Sequence, residues 1–205
     1  MPDHPVALSL ITKADRPIAA PSANKFWELS PTTAKHVQKQ LGKEVDIILD
    51  GGACKVGVES TILEITENEI IILRPGGLPV EEIEEVAGKV SLKKNNLSKP
   101  NSPGQLPFHY APKIPLKIID ENVLNELKGK KVGALLFSGN DYDFEFDVVK
   151  ILSGKKDLHE AAANLFSYLH ELENSGVDFI VAERVEKTGL GKAIMDRLIR
   201  ASSKF

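Results

Sequence analysis

Three short clusters carry side chains suited to holding anions. Ser22 and Asn24 stand two residues apart. On extended backbone they face the same side, and a hydroxyl beside a carboxamide there can hold phosphate or carboxylate oxygens. Ser30 follows at the start of what reads as a helix, whose first N–H groups favour an anion. Taken singly, these three residues are better explained by turn chemistry and capping. Gly57-Val58-Glu59-Ser60-Thr61 places adjacent hydroxyls at the start of a strand, where β-propensity alone accounts for them. Arg74, in Leu73-Arg74-Pro75-Gly76, is an arginine presented by a rigid turn, suited to bidentate phosphate recognition or to a surface ion pair.

Two further segments stand out. His109-Tyr110 sits between prolines, close behind Ser102-Pro103-Gly104, in a stretch that otherwise reads as a linker. Aromatic groups favour burial, so this segment either staples the linker to a domain or folds back over a pocket as a lid. Gly189-Leu190-Gly191 precedes the last helix and can cradle phosphate, though glycine pairs are common in plain turns. The histidines show no metal-ligand spacing, and no metal-binding residue is assigned.

The elements that must position these residues follow from pattern and punctuation. Val6 to Lys13 reads as a short helix and residues 16–21 as extended chain. Ser30-Pro31-Thr32-Thr33 predicts a helix capped by Ser30 with Pro31 at its first position, ending at Gly42. Strands are predicted over 45–49, 58–65 and 69–73, and an acidic helix over 80–87. Five prolines between Ser91 and Pro115 exclude regular structure there. The chain then divides into residues 1–90, a linker at 91–115 and a second domain at 116–205. That second domain alternates strands (116–119, 132–137, 146–152, 179–182) with helices. One is capped by Asp157 with Glu160 at the capping-box position, and the last covers 190–200. The fully apolar run 132–137 implies a strand buried on both faces. The whole is an α/β protein whose second domain is small, Rossmann-like and built on a mostly parallel sheet.

Composition narrows the classes. The chain has 205 residues, 42% of them apolar and 27% charged, as in a soluble globular protein. A net charge of −3 offers no general electrostatic case for nucleic acid. One cysteine, Cys54, excludes an internal disulfide and fits a reducing, cytoplasmic setting. No apolar run approaches the about 20 residues needed to span a bilayer.

Read together and in order, the motifs are more specific than any one alone. Pro17-Ile18-Ala19-Ala20-Pro21-Ser22-Ala23-Asn24, Ser30-Pro31-Thr32-Thr33, Asp50-Gly51-Gly52, Val58-Glu59-Ser60-Thr61 and Leu73-Arg74-Pro75-Gly76 resemble the second half of a YrdC-type catalytic domain. Ser102-Pro103-Gly104 with His109-Tyr110-Ala111-Pro112 is similar to the linker of the long, two-domain form of YrdC-type threonylcarbamoyl-AMP synthases. Gly189-Leu190-Gly191 with Ala193-Ile194-Met195-Asp196-Arg197-Leu198 is similar to the end of their accessory domain. The resemblance implies a partial, twisted YrdC-like α/β domain, a Pro-rich linker and the accessory α/β domain. It implies synthesis of threonylcarbamoyl-AMP from L-threonine, bicarbonate and ATP with release of pyrophosphate, Mg2+ on the phosphates, and a role in modifying tRNA. It implies nucleotide contacts from Ser22, Asn24, Ser30 and Arg74, a threonine contact from Ser60, and closure of the site by Tyr110 and His109. No catalytic residue is assigned.

The resemblance also aligns Met1-Pro2-Asp3-His4-Pro5 with the interior of the family's domain. A front half bearing a Lys-x-Arg-type motif is therefore expected to be absent, and activity of the chain by itself is doubtful. Strands at 17–20, 45–49 and 58–73 would then lack sheet neighbours, which favours self-association. Trp27 is bulky where the family has a small turn. A non-catalytic module binding nucleotide, tRNA or double-stranded RNA is the alternative, and a fragment without function is a third reading.

Overall fold

A computed structural model describes residues 2–92 and 109–204. Ser102-Pro103-Gly104 and most of the Pro-rich stretch lie outside the described residues.

The first part of the chain opens with α1 (Pro5–Ala14), which none of its own side chains anchors in a core. Asp15, in left-handed geometry with φ 49°, ends it by donating its N–H to the Ile11 carbonyl. The next helix, α2 (Ala34–Leu41), starts later than Ser30 and Pro31 suggest, because Thr33 is its cap and accepts from the His36 N–H. Ser30 has been drawn elsewhere: it is buried, and its hydroxyl is committed to a distant carboxylate. No strand forms over 17–20 or 45–49. The sheet-edge reasoning for those two segments therefore fails, and what 45–49 presents is apolar side chains, with Ile47 77% exposed.

β1 (Ile62–Ile65) and β2 (Ile70–Arg74) pair antiparallel. The strands are shorter than predicted at the front, and Thr66 closes the turn between them by accepting from the Asn68 and Glu69 N–H groups. The helix α3 (Val80–Ala87) follows and buries Val80 and Ile83. A third strand, β3 (Ser91–Leu92), then runs parallel to β2, so regular structure reaches two residues into the stretch expected to be linker. Proline density is the signal for that linker, and it begins only at Pro100.

The second part follows the alternation closely. β4 (Leu116–Ile118), β5 (Val132–Leu136), β6 (Val148–Ile151) and β7 (Phe179–Ala182) form an all-parallel sheet in the order β4-β7-β5-β6. Helix α4 (Glu121–Glu126) is capped by Asp120, whose side chain accepts from the Val123 N–H. β5 is buried at every position. Its side chains alternate as the pleat requires. Leu135 faces a core shared with α5 (Leu158–Glu173) and α6 (Gly191–Ser202), while Val132, Ala134 and Leu136 face a smaller core with Phe144, Phe146 and Phe179. Gly133 sits where a Cβ would meet Leu172 and Val177, so the absent side chain lets α5 lie close on the sheet.

The start of α5 modifies the expected capping box. Asp157 accepts from the His159 and Glu160 N–H groups at 2.7 and 3.1 Å. Glu160 does not reach the Asp157 N–H directly: Ser153 accepts from that N–H at 2.9 Å and donates its own hydroxyl to Glu160 at 2.5 Å. The reciprocal arrangement survives with one hydroxyl inserted.

Candidate active site

The site is built where the first part of the chain meets α5 and α6. Contact begins at Gly57, whose backbone has φ +75° and lies so close to α5 that an added Cβ would stand 2.2 Å from the Ala162 carbonyl oxygen. Only glycine accommodates both that geometry and that approach. Further along α5 the rings of His170 and of His36 on α2 are 4.0 Å apart. His170 Nε2 lies 3.1 Å from the Ser30 carbonyl oxygen, and His36 Nδ1 accepts from the Thr32 N–H at 3.2 Å. Burial, and then the neighbouring His170, lower His36 to about 4. Burial also lowers His170, against the raising effect of its bond to Ser30. The pair is neutral at pH 7, as two stacked imidazoles must be to pack.

A cavity of about 630 Å³ opens beside this contact, lined among others by His4, Ser22, Ser30, Thr32, Lys55 and Glu59. A second cleft of about 480 Å³ adjoins it, lined by Ser60, Thr61, Leu63 and Leu78. Val56 and Val58 line both, so the 54–60 loop forms the wall between them.

Behind that wall lies a buried charge cluster. The Arg197 side chain on α6 is fully buried. Its Nε donates to Glu59 Oε2 at 2.9 Å, and its Nη1 donates to the Pro75 carbonyl and to Asp196 Oδ2, both at 2.8 Å. Its guanidinium also lies 5.1 Å from the centre of the Tyr110 ring. Burial works against its charge, but Glu59, Tyr110 and Asp196 outweigh burial and keep it protonated. Glu59 uses its other oxygen to accept from the Ser30 hydroxyl at 2.5 Å. Asp196 in turn receives Arg200 through its Nε and Nη2.

The predicted site residues fall into two sets. Ser30, Ser60, Arg74, His109 and Tyr110 converge on the cluster. Arg74 is buried and turns its guanidinium onto Ser60, donating to the carbonyl at 2.8 Å from Nη2 and 3.2 Å from Nε, and to the hydroxyl at 3.3 Å. Tyr110 is 3% exposed, in left-handed geometry at φ 65°, and packs on Phe166 of α5. Burial, then Glu59, push its hydroxyl up. His109 stacks beside it and meets Phe26 edge-on at 5.5 Å, while burial lowers its imidazole. Ala111 donates its N–H to the Trp27 carbonyl at 3.0 Å, so the segment after the Pro-rich stretch is tied to the first part of the chain.

Ser22 and Asn24 are turned to different surroundings. The backbone bends at Ala23 and Asn24 rather than running extended. Ser22 lines the large cavity, while Asn24 donates its amide to the Lys25 carbonyl at 2.9 Å and the Glu28 carbonyl at 3.4 Å. Gly189 donates its N–H to Glu81, so a carboxylate already holds that turn. Sequence reasoning missed the central pair. Glu59 and Arg197 both lie in motifs noted above, but 138 residues separate them and no local pattern links the two.

Comparison with known proteins places the chain in a family. Residues 78–203 match the family described as threonylcarbamoyl-AMP synthase, C-terminal domain, and residues 1–76 match a family described as telomere recombination. Threonylcarbamoyl-AMP synthase of Pyrococcus abyssi is 39% identical and that of Bacillus subtilis 40% identical, each over 98% of this chain and 62% of its own length. The Schizosaccharomyces pombe enzyme is 39% identical over 99% of this chain and 56% of its own length. A crystal structure of P. abyssi Sua5 complexed with L-threonine has a TM-score of 0.85 at 40% identity, covering 98% of this chain and 62% of that one. The chain thus spans a little under two thirds of the length of the relatives it matches. By sequence, by fold and by the match over residues 78–203, the chain belongs to the threonylcarbamoyl-AMP synthase family.

Proposed function

We propose that this chain works in the synthesis of threonylcarbamoyl-AMP. Threonine's amine and bicarbonate condense to a carbamate with loss of water. A carbamate oxygen then attacks the α-phosphorus of ATP, and pyrophosphate leaves with the pair of electrons from the bond it breaks. The observation that carries this reading is the pair of adjoining cavities walled by Val56 and Val58, with serine hydroxyls on both sides. The larger one takes the nucleotide, where Ser22 offers a hydroxyl to phosphate oxygens, while Ser30 donates its hydroxyl to Glu59 and acts by holding that carboxylate at the wall. Threonine fits the smaller one beside Ser60, whose position Arg74 fixes. A relative of known structure holds L-threonine, which supports an amino-acid subsite. Asn24 acts through the turn it braces, and Tyr110 with His109 closes the site from the linker side.

In this reaction the protein orients reactants and stabilises charge. Mg2+ would be held by the phosphate oxygens and water, in the cavity that Ser22, Ser30 and Thr32 line. The product is suited to modifying tRNA, and tRNA or double-stranded RNA are the macromolecular partners this reading implies. The setting is cytoplasmic.

Threonine-dependent pyrophosphate release, measured with ATP, bicarbonate and magnesium, tests the proposal. The expected result is release that Ser60→Ala reduces. Folded protein that releases no pyrophosphate, yet binds nucleotide, would favour the binding-module reading.

A further inference from the structure

The structure assigns Arg197 a positioning role in the proposed site: from the C-terminal part it holds Glu59, and through Glu59 the Ser30 hydroxyl, at the cavity wall. This rests on the proposed function for what the cavity binds, and on geometry alone for what Arg197 does.

A single guanidinium ties together three separate pieces of chain. Nε grips the carboxylate of Glu59, in the loop that leads into β1. Nη1 grips the Pro75 carbonyl, in the turn that leaves β2. The guanidinium carbon lies over the Tyr110 ring, on the segment that enters the second part. Those pieces carry the Ser60, Arg74 and lid positions respectively, so one side chain sets their mutual distances. The fork geometry of arginine suits this, since two donors on a rigid plane fix direction as well as distance. The pairing also extends one bond further, from Glu59 to Ser30, which faces the large cavity. Removing Arg197 would leave Glu59 half-satisfied at the wall, free to turn into the space where phosphate oxygens are expected.

A buried ion pair is weak evidence for stability, because an apolar replacement of similar volume often serves as well. The positioning role and a merely structural role therefore predict different outcomes for a paired replacement. Arg197→Met removes the cation. Glu59→Gln/Arg197→Met also removes the stranded carboxylate, keeps an acceptor for Ser30 and restores a neutral interior. A structural role predicts that the double variant recovers both melting temperature and activity. A positioning role predicts that it recovers melting temperature while kcat/KM for threonine-dependent pyrophosphate release stays down by about 10- to 100-fold, the scale of misplaced reactants. Arg197→Lys, with charge but no fork, should fall between wild type and Arg197→Met.

A substrate-free readout separates this inference from the function it rests on. Trp27 is the one tryptophan, about half exposed, and its carbonyl accepts from Ala111 beside Tyr110. Freeing the Tyr110 ring from Arg197 should raise acrylamide quenching of Trp27 in both the single and the double variant. If the wild-type chain releases no pyrophosphate, this quenching decides by itself. A double variant with wild-type melting, wild-type quenching and, where release is measurable, wild-type kcat/KM would overturn the assignment.

Discussion

Gly57→Ala should separate the first part of the chain from α5. The new methyl would stand 2.2 Å from the Ala162 carbonyl oxygen and 2.5 Å from the Ala163 Cα, both backbone atoms that cannot swing aside. Ordinary contact lies at 3.4–4 Å, so the two parts would have to move apart by more than an ångström. Left-handed backbone at φ +75° adds about 1–2 kcal/mol for a residue with a Cβ. Overpacking of this kind costs a further about 1–3 kcal/mol. The total of roughly 2–5 kcal/mol corresponds to a fall in melting temperature of about 4–20 °C for a chain of this size. Gly52→Ala is the control, since Gly52 has φ +87° with nothing within 4 Å and should show the backbone cost alone. Thermal melts followed by circular dichroism measure both. If Gly57→Ala melts with Gly52→Ala, the close approach to α5 is not part of the fold in solution.

Other perturbations test other links. His36 is held at about 4, below its ordinary 6.5, first by burial and then by His170, with Glu171 opposing and Lys39 reinforcing. The unfolded chain therefore takes up the proton first, so stability is complete above pH 6.5 and is lost as pH falls towards 4. Because His36 is partly exposed, screening limits this to about 1–2 kcal/mol. Urea midpoints at pH 7 and 4.5 should differ accordingly, and the difference should shrink in His36→Asn. Leu165→Ala, at a fully buried position of α5, should cost about 2–5 kcal/mol in denaturant unfolding. Ile47 and Leu49 are 77% and 54% exposed, so the chain should self-associate with concentration in light scattering. Ile47→Glu/Leu49→Glu should reduce this, and a wild-type chain that stays monomeric would contradict it.

Legibility in the sequence depended on how local the cause was. β5 could be read because an unbroken apolar run has few alternatives, and Asp157 because a cap acts within three residues. Residues 45–49 are equally apolar, yet a strand needs a partner, and nothing in Val45 to Leu49 names one. Ser30 carries the best local signal for a helix cap. It lost that role to Thr33 because a partly buried carboxylate 29 residues away claims its hydroxyl. The motifs around Ser60, Arg74 and Tyr110 pointed to a shared site without showing what brings them together. That work falls to Arg197, which lies in a motif of the last helix but 138 residues from Glu59.

The most direct test of the site is to soak crystals of the chain with L-threonine and locate the bound amino acid. The account predicts density in the cleft beside Ser60 and Thr61, against the Val56–Val58 wall and next to the large cavity, and loss of that density in Ser60→Ala. Threonine found instead in a surface depression such as that between Lys128 and Asp147, with the Ser60 cleft filled by solvent alone, would contradict it.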